Sequence, residues 1–233
     1  KEGEEVLCTP LTCTATNFPV LANGLKIKWV DVDENTLNMD LKDLERKLSP
    51  TTKIIYVVHW GGYPLDLDKL KLIQEKCFSL YGFKPTIIED CAHAFGSEFH
   101  MNDVCASIGL SNLKEVDENV ISKHKKNALY YNKELKNVEG ITLLENKPDH
   151  ESSYWIYTIK VDNRDNFMRM MEKNKIAVSR VHERNDKHTC MQDYISSLPT
   201  LDKVVEQMIC IPVGWWVTKK DREHIVNCIK KGW

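Results

Sequence analysis

Apolar and polar positions along the first hundred residues follow two alternating periods. Residues 26–32 (Lys-Ile-Lys-Trp-Val-Asp-Val) alternate strictly, the signature of a strand with one buried face. Between 38 and 48 the apolar residues Leu41, Leu44 and Leu48 recur at three- and four-residue spacing, which predicts an amphipathic helix stopped by Ser49-Pro50. Residues 53–59 form a β-branched run typical of a central parallel strand. The helical spacing returns over 68–81 at Leu70, Ile73 and Cys77, and 85–90 reads as another buried strand. Upstream, Glu5–Cys8 is a short buried run ending at Thr9-Pro10. Residues 14–22 read as a helix in which Pro19 must lie near an end or a kink, closed by Asn23-Gly24. Strand-helix alternation at this spacing predicts a doubly wound parallel sheet, whose ligands sit at the carboxyl ends of its strands. His59 and Asp90 both occupy such ends.

After Phe99 the texture changes. Helices are expected over 104–114 and 121–135, a strand over 154–161, a helix over 165–174, a strand over 176–181, a polar loop over 182–192 and a last helix over 221–231. This order predicts an α/β protein with a mostly parallel sheet and a smaller C-terminal α+β domain. The expected division is 1–99, part of the large domain; 100–135, linking helices; and 136–233, the small domain. No internal repeat interrupts it.

Charge changes the picture by exclusion. With 32 Lys and Arg against 34 Asp and Glu, the 233 residues carry a net charge of -2, which offers no basic excess for a nucleic-acid partner. No apolar run approaches the roughly 18 residues of a membrane span, and residues 1–5 are acidic and polar, unlike a signal peptide. Eight cysteines include no CxxC pair and lie mostly in apolar runs, so they are expected to be free thiols of a cytoplasmic protein.

The segment with most chemistry is Ile87-Ile88-Glu89-Asp90-Cys91-Ala92-His93-Ala94-Phe95-Gly96. A strand delivers Asp90 to the open edge of the sheet, and His93 follows three residues on. A carboxylate so placed either holds a cationic ring nitrogen protonated through a charge-assisted hydrogen bond or caps the next turn, and spacing alone leaves both readings open.

This run resembles the cofactor strand of the DegT/DnrJ/StrS-type sugar-nucleotide aminotransferases, pyridoxal-phosphate enzymes of fold type I, where an apolar strand leads into E-D-x-A-[HQ]-A-x-G. Six further segments match that family in order. Gly3-Glu4-Glu5-Val6 resembles G-D-E-V, and residues 9–17 resemble P-x-T-[FW]-x-A-T-x-N, with Cys13 in the aromatic position. Residues 30–40 resemble V-D-[IV]-D…T-x-N-[IM]-D; residues 51–55 and 57–64 together resemble T-[RK]-x-I-[IV]-x-V-H-x-x-G-x-P. Residues 101–113 resemble the dimer-forming M-[NST]-[DE]-x-x-A-x-x-G-L-x-x-L, and Ile211-Pro212-Val213 resembles a late [IL]-P-[LI] element. The tryptophans that follow, Trp215 and Trp216, are expected in packing or an interface.

Two departures stand out. The family's phosphate-holding Gly/Ser-Thr-Ala turn is absent. So is S-F-x-x-x-K, whose Lys forms the Schiff base and which belongs between the Asp strand and the helix of residues 101–113. Gly96-Ser97-Glu98-Phe99 runs directly into His100-Met101, so a segment carrying the lysine is inferred to be missing between about Phe99 and His100. The look-alike at 79–84 precedes the Asp strand and does not qualify.

The resemblance implies a fold type I homodimer that moves an amino group from L-glutamate to a nucleotide-linked keto-deoxy sugar with pyridoxal 5'-phosphate. Asp90 would pair with the pyridinium nitrogen, His93 would sit near the cofactor's ring oxygen or Asp90, and Cys13 would lie against the ring face. His182, Arg184 and His188 fall where the family has its substrate-side loop; they would address a nucleotide diphosphate, or the loop is simply solvated. His182, His188 and Cys190 lack the tight spacing of a zinc site, and no metal is expected. Two alternatives remain: a sugar 3-dehydratase of the same fold, in which His replaces the lysine, and an inactive binding homologue.

Overall fold

The computed structural model describes residues 3–93, 116–147 and 150–233. They form two compact units that are not contiguous in sequence. The first comprises Lys1–Trp60, Pro64–Ala92 and Val181–Val205; the second comprises Gly61–Tyr63, His93–Arg180 and Glu206–Trp233. This partition differs from boundaries drawn after residues 99 and 135, because a stretch late in the chain returns to the first unit.

The first unit is a four-stranded parallel sheet of order β2-β1-β3-β4, with β1 Glu5–Cys8, β2 Lys26–Trp29, β3 Thr52–Val58 and β4 Thr86–Asp90. Helices α1 (Thr14–Ala22), α2 (Leu41–Lys47) and α3 (Leu67–Tyr81) make the crossovers that parallel pairing requires. Asp40 starts α2 by accepting the Lys42 amide, and Asp66 starts α3 by accepting that of Lys69. The apolar stripes of α2 and α3 bury Leu44, Leu70, Ile73 and Cys77 with Leu7 and Ile55 of the sheet. At about 25 cal/mol per Å² of apolar area, this burial is what makes two short helices stable.

Pro19 lies near the end of its helix as expected, while the reading of β4 needs correction. Pro19 sits inside α1, tolerated because the helix ends at Ala22, where the Asn23 amide and side chain both donate to the Pro19 carbonyl. Strand β4 is not a buried strand: among the described residues it pairs with β3 alone, and Ile88 is exposed.

The second unit is an antiparallel sheet of order β5-β6-β7, with β5 Ile141–Leu143, β6 Tyr157–Val161 and β7 Met208–Ile211. It is packed with α4 (Ser122–Leu135), α5 (Arg164–Lys173) and α7 (Lys219–Lys230), while α6 (Pro199–Gln207) leads into β7. The central strand β6 is buried throughout, and Tyr131, Phe167, Ile159 and Ile229 build the core. A reciprocal Thr218–Asp221 capping box starts α7. The strand expected over 176–181 is absent; only Ser179 bridges to Cys210, and Val181 then turns to φ 67°. The expected helix at 104–114 and the segment 101–113 lie outside the described residues. Trp215 and Trp216 are both exposed, edge-on to each other, and Trp216 also stands edge-on to His124.

The seven described cysteines are free. Burial pushes the Cys210 thiol up to about 11, partly offset by a hydrogen bond with Thr158, so it behaves as a small apolar side chain.

Candidate active site

From β1 the chain crosses out to β2 and returns on the other side of β1 as β3. The strand order therefore reverses at β1, which makes the carboxyl ends of β1 and β3 the place where a sheet of this kind binds its ligand. Pairing of Val58 with Asp90 brings the end of β4 level with the end of β3. The half-buried Asp90 carboxylate stands at this edge: Oδ1 accepts the Ala92 amide at 3.0 Å, and Oδ2 accepts the Thr16 hydroxyl at 2.7 Å. The Thr16 hydroxyl lies 2.9 Å from that of Thr12, and both threonines are buried where α1 begins. Cys13 occupies the N-cap position of α1 with its side chain exposed, on the same turn.

The late segment of the first unit is pinned onto this turn. Leu11 bridges Arg184, the Asn185 amide donates to the Pro10 carbonyl at 2.8 Å, and Asn185 Nδ2 donates to Asn17 Oδ1 at 2.6 Å and to the Cys13 carbonyl at 3.2 Å. What was expected to be an open polar loop contains two 3-10 turns, Asn185–Lys187 and Thr189–Tyr194. His182 is half-buried, edge-on to Trp60 with ring centroids 5.9 Å apart. Burial holds its pKa below the usual histidine value, and the charge of Asp90 opposes that shift. Arg184 is engaged: its fork grips Asp186 through Nε at 2.8 Å and Nη2 at 2.6 Å, while Nη1 reaches Asp202. In this arrangement its donors serve carboxylates within the protein. His188 stands edge-on to Phe18 at 5.5 Å.

His59 is buried. Its Nδ1 accepts the Leu65 amide at 3.1 Å, so the proton resides on Nε2, which donates to Glu89 Oε2 at 3.1 Å. His59, Glu89 and Cys91 together offer three ligand atoms within 4.8 Å of one another. A metal on Nε2 would need that nitrogen unprotonated, the reverse of the tautomer set by Leu65, so the trio reads as a structural hydrogen-bonded pair with a neighbouring thiol.

His93 belongs to the second unit. Its Nδ1 accepts the Gly61 amide at 3.3 Å, its ring stacks on Trp155 with centroids 4.5 Å apart and 9° between planes, and its carbonyl accepts the Ser153 hydroxyl.

Sequence reasoning had no hold on Thr12, Thr16 or Asn185 as partners of these residues. The signal available was the adjacent Thr16-Asn17 pair within residues 9–17; both side chains are turned inward and fully buried.

Comparison with known proteins gives a consistent answer. The model of the DegT/DnrJ/EryC1/StrS aminotransferase family matches residues 1–100 and again 95–230. A dTDP-4-amino-4,6-dideoxy-D-glucose transaminase of Escherichia coli is 23% identical over 299 aligned positions, covering 97% of this chain and 78% of that protein. Those 299 positions exceed the 233 residues here, so that relative carries an internal stretch this chain lacks. The two pieces of the family match meet where the lysine segment was inferred to be missing. Among solved structures, sugar aminotransferase CalS13 from Micromonospora echinospora superposes with a TM-score of 0.93 at 37% identity, covering 99% of this chain and 81% of that one. AtS13 from Actinomadura melliaura gives a TM-score of 0.93 at 40% identity, with 99% and 80% covered.

Proposed function

This chain belongs to the DegT/DnrJ/EryC1/StrS aminotransferase family, and from that premise we propose that it moves an amino group from L-glutamate to the keto group of a nucleotide-linked keto-deoxy sugar, yielding an amino sugar. The fold is that of the sugar aminotransferases. We read the working form as a cytoplasmic homodimer; no helix among the described residues is long and apolar enough to cross a membrane.

The observation that carries the proposal is the Asp90 carboxylate at the carboxyl end of β4, level with the end of β3. Each of its oxygens accepts one hydrogen bond from the protein, which leaves each a further lone pair for a cationic N–H donor. That chemistry fits the ring nitrogen of pyridoxal phosphate, which when bound supplies the electron sink for amino-group transfer. Asp90 would hold that nitrogen protonated by a charge-assisted hydrogen bond. Cys13 would offer its exposed thiol to a ring face, with less dispersion contact than an aromatic residue gives. His93, whose Nδ1 accepts the Gly61 amide, remains the candidate that the family motif implies for the ring oxygen. His182 and His188 remain the substrate-side candidates, while Arg184 would act by holding that segment in shape.

The amine needed to hold the cofactor covalently is not among the residues that match the family's motifs here, so the test reads it directly. Absorbance of the folded full-length protein, including the segment inferred to be missing here, is followed with pyridoxal phosphate, before and after borohydride, beside Asp90→Ala. We expect a saturable yellow band that borohydride fixes to the protein, and binding weakened at least tenfold in Asp90→Ala. Cofactor bound without a fixed adduct would favour the dehydratase reading, and absence of binding by a folded protein would overturn both.

A further inference from the structure

We propose that Thr16 is a positioning residue for Asp90, its hydroxyl setting the carboxylate's orientation toward the cofactor's ring nitrogen, with Thr12 setting the orientation of Thr16 in turn. The proposal rests on the cofactor reading above and adds to it residues that neither the Asp90 motif nor the substrate loop contains.

The direction of the hydrogen bonds carries the argument. An ionised carboxylate only accepts, so the single hydrogen of the Thr16 hydroxyl must point to Asp90 Oδ2, 2.7 Å away. The contact between Thr12 and Thr16 at 2.9 Å must then run from Thr12 to Thr16. Both hydrogens point the same way, toward Asp90. Exposures of 2% at Thr12 and 1% at Thr16 keep water from competing. A threonine in a helix commonly turns its hydroxyl to the carbonyl four residues back. Thr16 instead reaches a carboxylate 74 residues away, and four residues back it meets a second hydroxyl. The backbone adds its own constraint, since the Thr16 amide donates to the Cys13 carbonyl in the first turn of α1. On the other oxygen, the Ala92 amide holds Oδ1. With one bond on each oxygen the carboxylate plane is fixed, and a third donor meets it in one orientation.

The test compares affinity of the full chain for pyridoxal phosphate with its affinity for the analogue in which a C–H replaces the ring nitrogen, and takes the ratio. Wild-type protein is expected to prefer the natural cofactor. Thr16→Val, which keeps the shape and removes the hydroxyl, is expected to lower that preference roughly tenfold. Thr16→Ser, which keeps the hydroxyl, should stay within about threefold of wild type, and Thr12→Val should lose roughly twofold through the weakened second bond. Unfolding midpoints are measured on every variant. A wild-type ratio in Thr16→Val would overturn the proposal alone, as would an equal loss in Thr16→Ser, which would make the methyl group the active part. If Thr16→Val does not fold, Thr16→Ser and Thr12→Val decide: a ratio unchanged in Thr12→Val overturns it. A folded wild-type protein that binds neither compound would sink the cofactor reading, and this inference with it.

Discussion

Gly62 shows how tightly single residues are constrained around His93. Its φ is +86°, a conformation that side-chain-bearing residues rarely adopt, and a Cβ built there would lie 2.0 Å from the Ser153 hydroxyl and 2.6 Å from the His93 carbonyl. The hydroxyl is itself bonded to that carbonyl, and the Ser153 amide donates to the Gly62 carbonyl, so neither neighbour is free to retreat. Gly62→Ala is expected to cost about 3 kcal/mol or more, combining backbone strain with a clash against main chain. Chemical denaturation would show it; a loss under about 1 kcal/mol would mean that the turn rearranges cheaply. The G-G-x-P of residues 61–64 was visible in the sequence as a family match, but the reason for Gly62 was not, because Ser153 lies some ninety residues away. The same holds at Asp90. Its place at a strand end followed from the β-branched run before it, whereas its partner Thr16 could be found only once β1, β3 and β4 were side by side.

Among the elements, α6 depends on a residue far from it in sequence. Asp31, buried after β2, accepts the Thr200 amide on Oδ2 and the Leu201 amide on Oδ1, each at 2.9 Å, and also accepts the Val32 amide. A negative charge facing unsatisfied first-turn amides is favourable both as a cap and against the helix dipole. The Asp31 amide in turn donates to Asp43 of α2. Asp31→Ala would strand three amide donors and is expected to cost about 3 kcal/mol, while Asp31→Asn, which keeps one oxygen, should cost about half of that. Equal effects of the two, read from urea midpoints, would contradict the capping role. This helix and β7 after it were not expected from the sequence, although residues 208–211 stood out as an apolar run. The helix's buried Leu201 and Val204 do stand at helical spacing, but the element has only nine residues and runs directly into the strand, which leaves the period little length to show in. The opposite error, a strand at 176–181, came from β-branched composition. Composition reports fitness for a pleated surface, not the presence of a partner strand, and only Ser179 finds one. In β1 to β4 and α1 to α3 local pattern and tertiary pairing agree, which is why the period alone located them; β4 was placed correctly yet judged buried, because its composition is that of an inner strand.

For the whole molecule, three groups of the first unit titrate on the same side of their ordinary values. Burial pushes the Asp43 carboxyl up, but the Asp31 amide, Lys47 and Arg46 outweigh it and hold it below the usual range. At Glu5 burial is likewise outweighed, by the hydroxyls of Ser49 and Thr51 and by Lys28. At His182 burial lowers the value, and Asp90 only partly offsets it. In every case the unfolded chain takes up a proton at higher pH than the folded one does, so stability falls as pH drops through each window and is not regained below it. The windows open at the unfolded values, about 6.5 for histidine and about 4 for the carboxylates. Unfolding free energy measured by urea should therefore be level from pH 8 to 7, decline shallowly below about pH 6.5, and decline steeply below about pH 4. His182→Asn should remove the shallow arm and Asp43→Asn should reduce the steep one. Asp90→Asn should deepen the shallow arm, since it takes away the charge that favours protonated His182. Stability that rises as pH falls from 7 to 5 would contradict the sign at His182, and with it the arrangement in which that ring is buried against Trp60 within reach of the Asp90 charge.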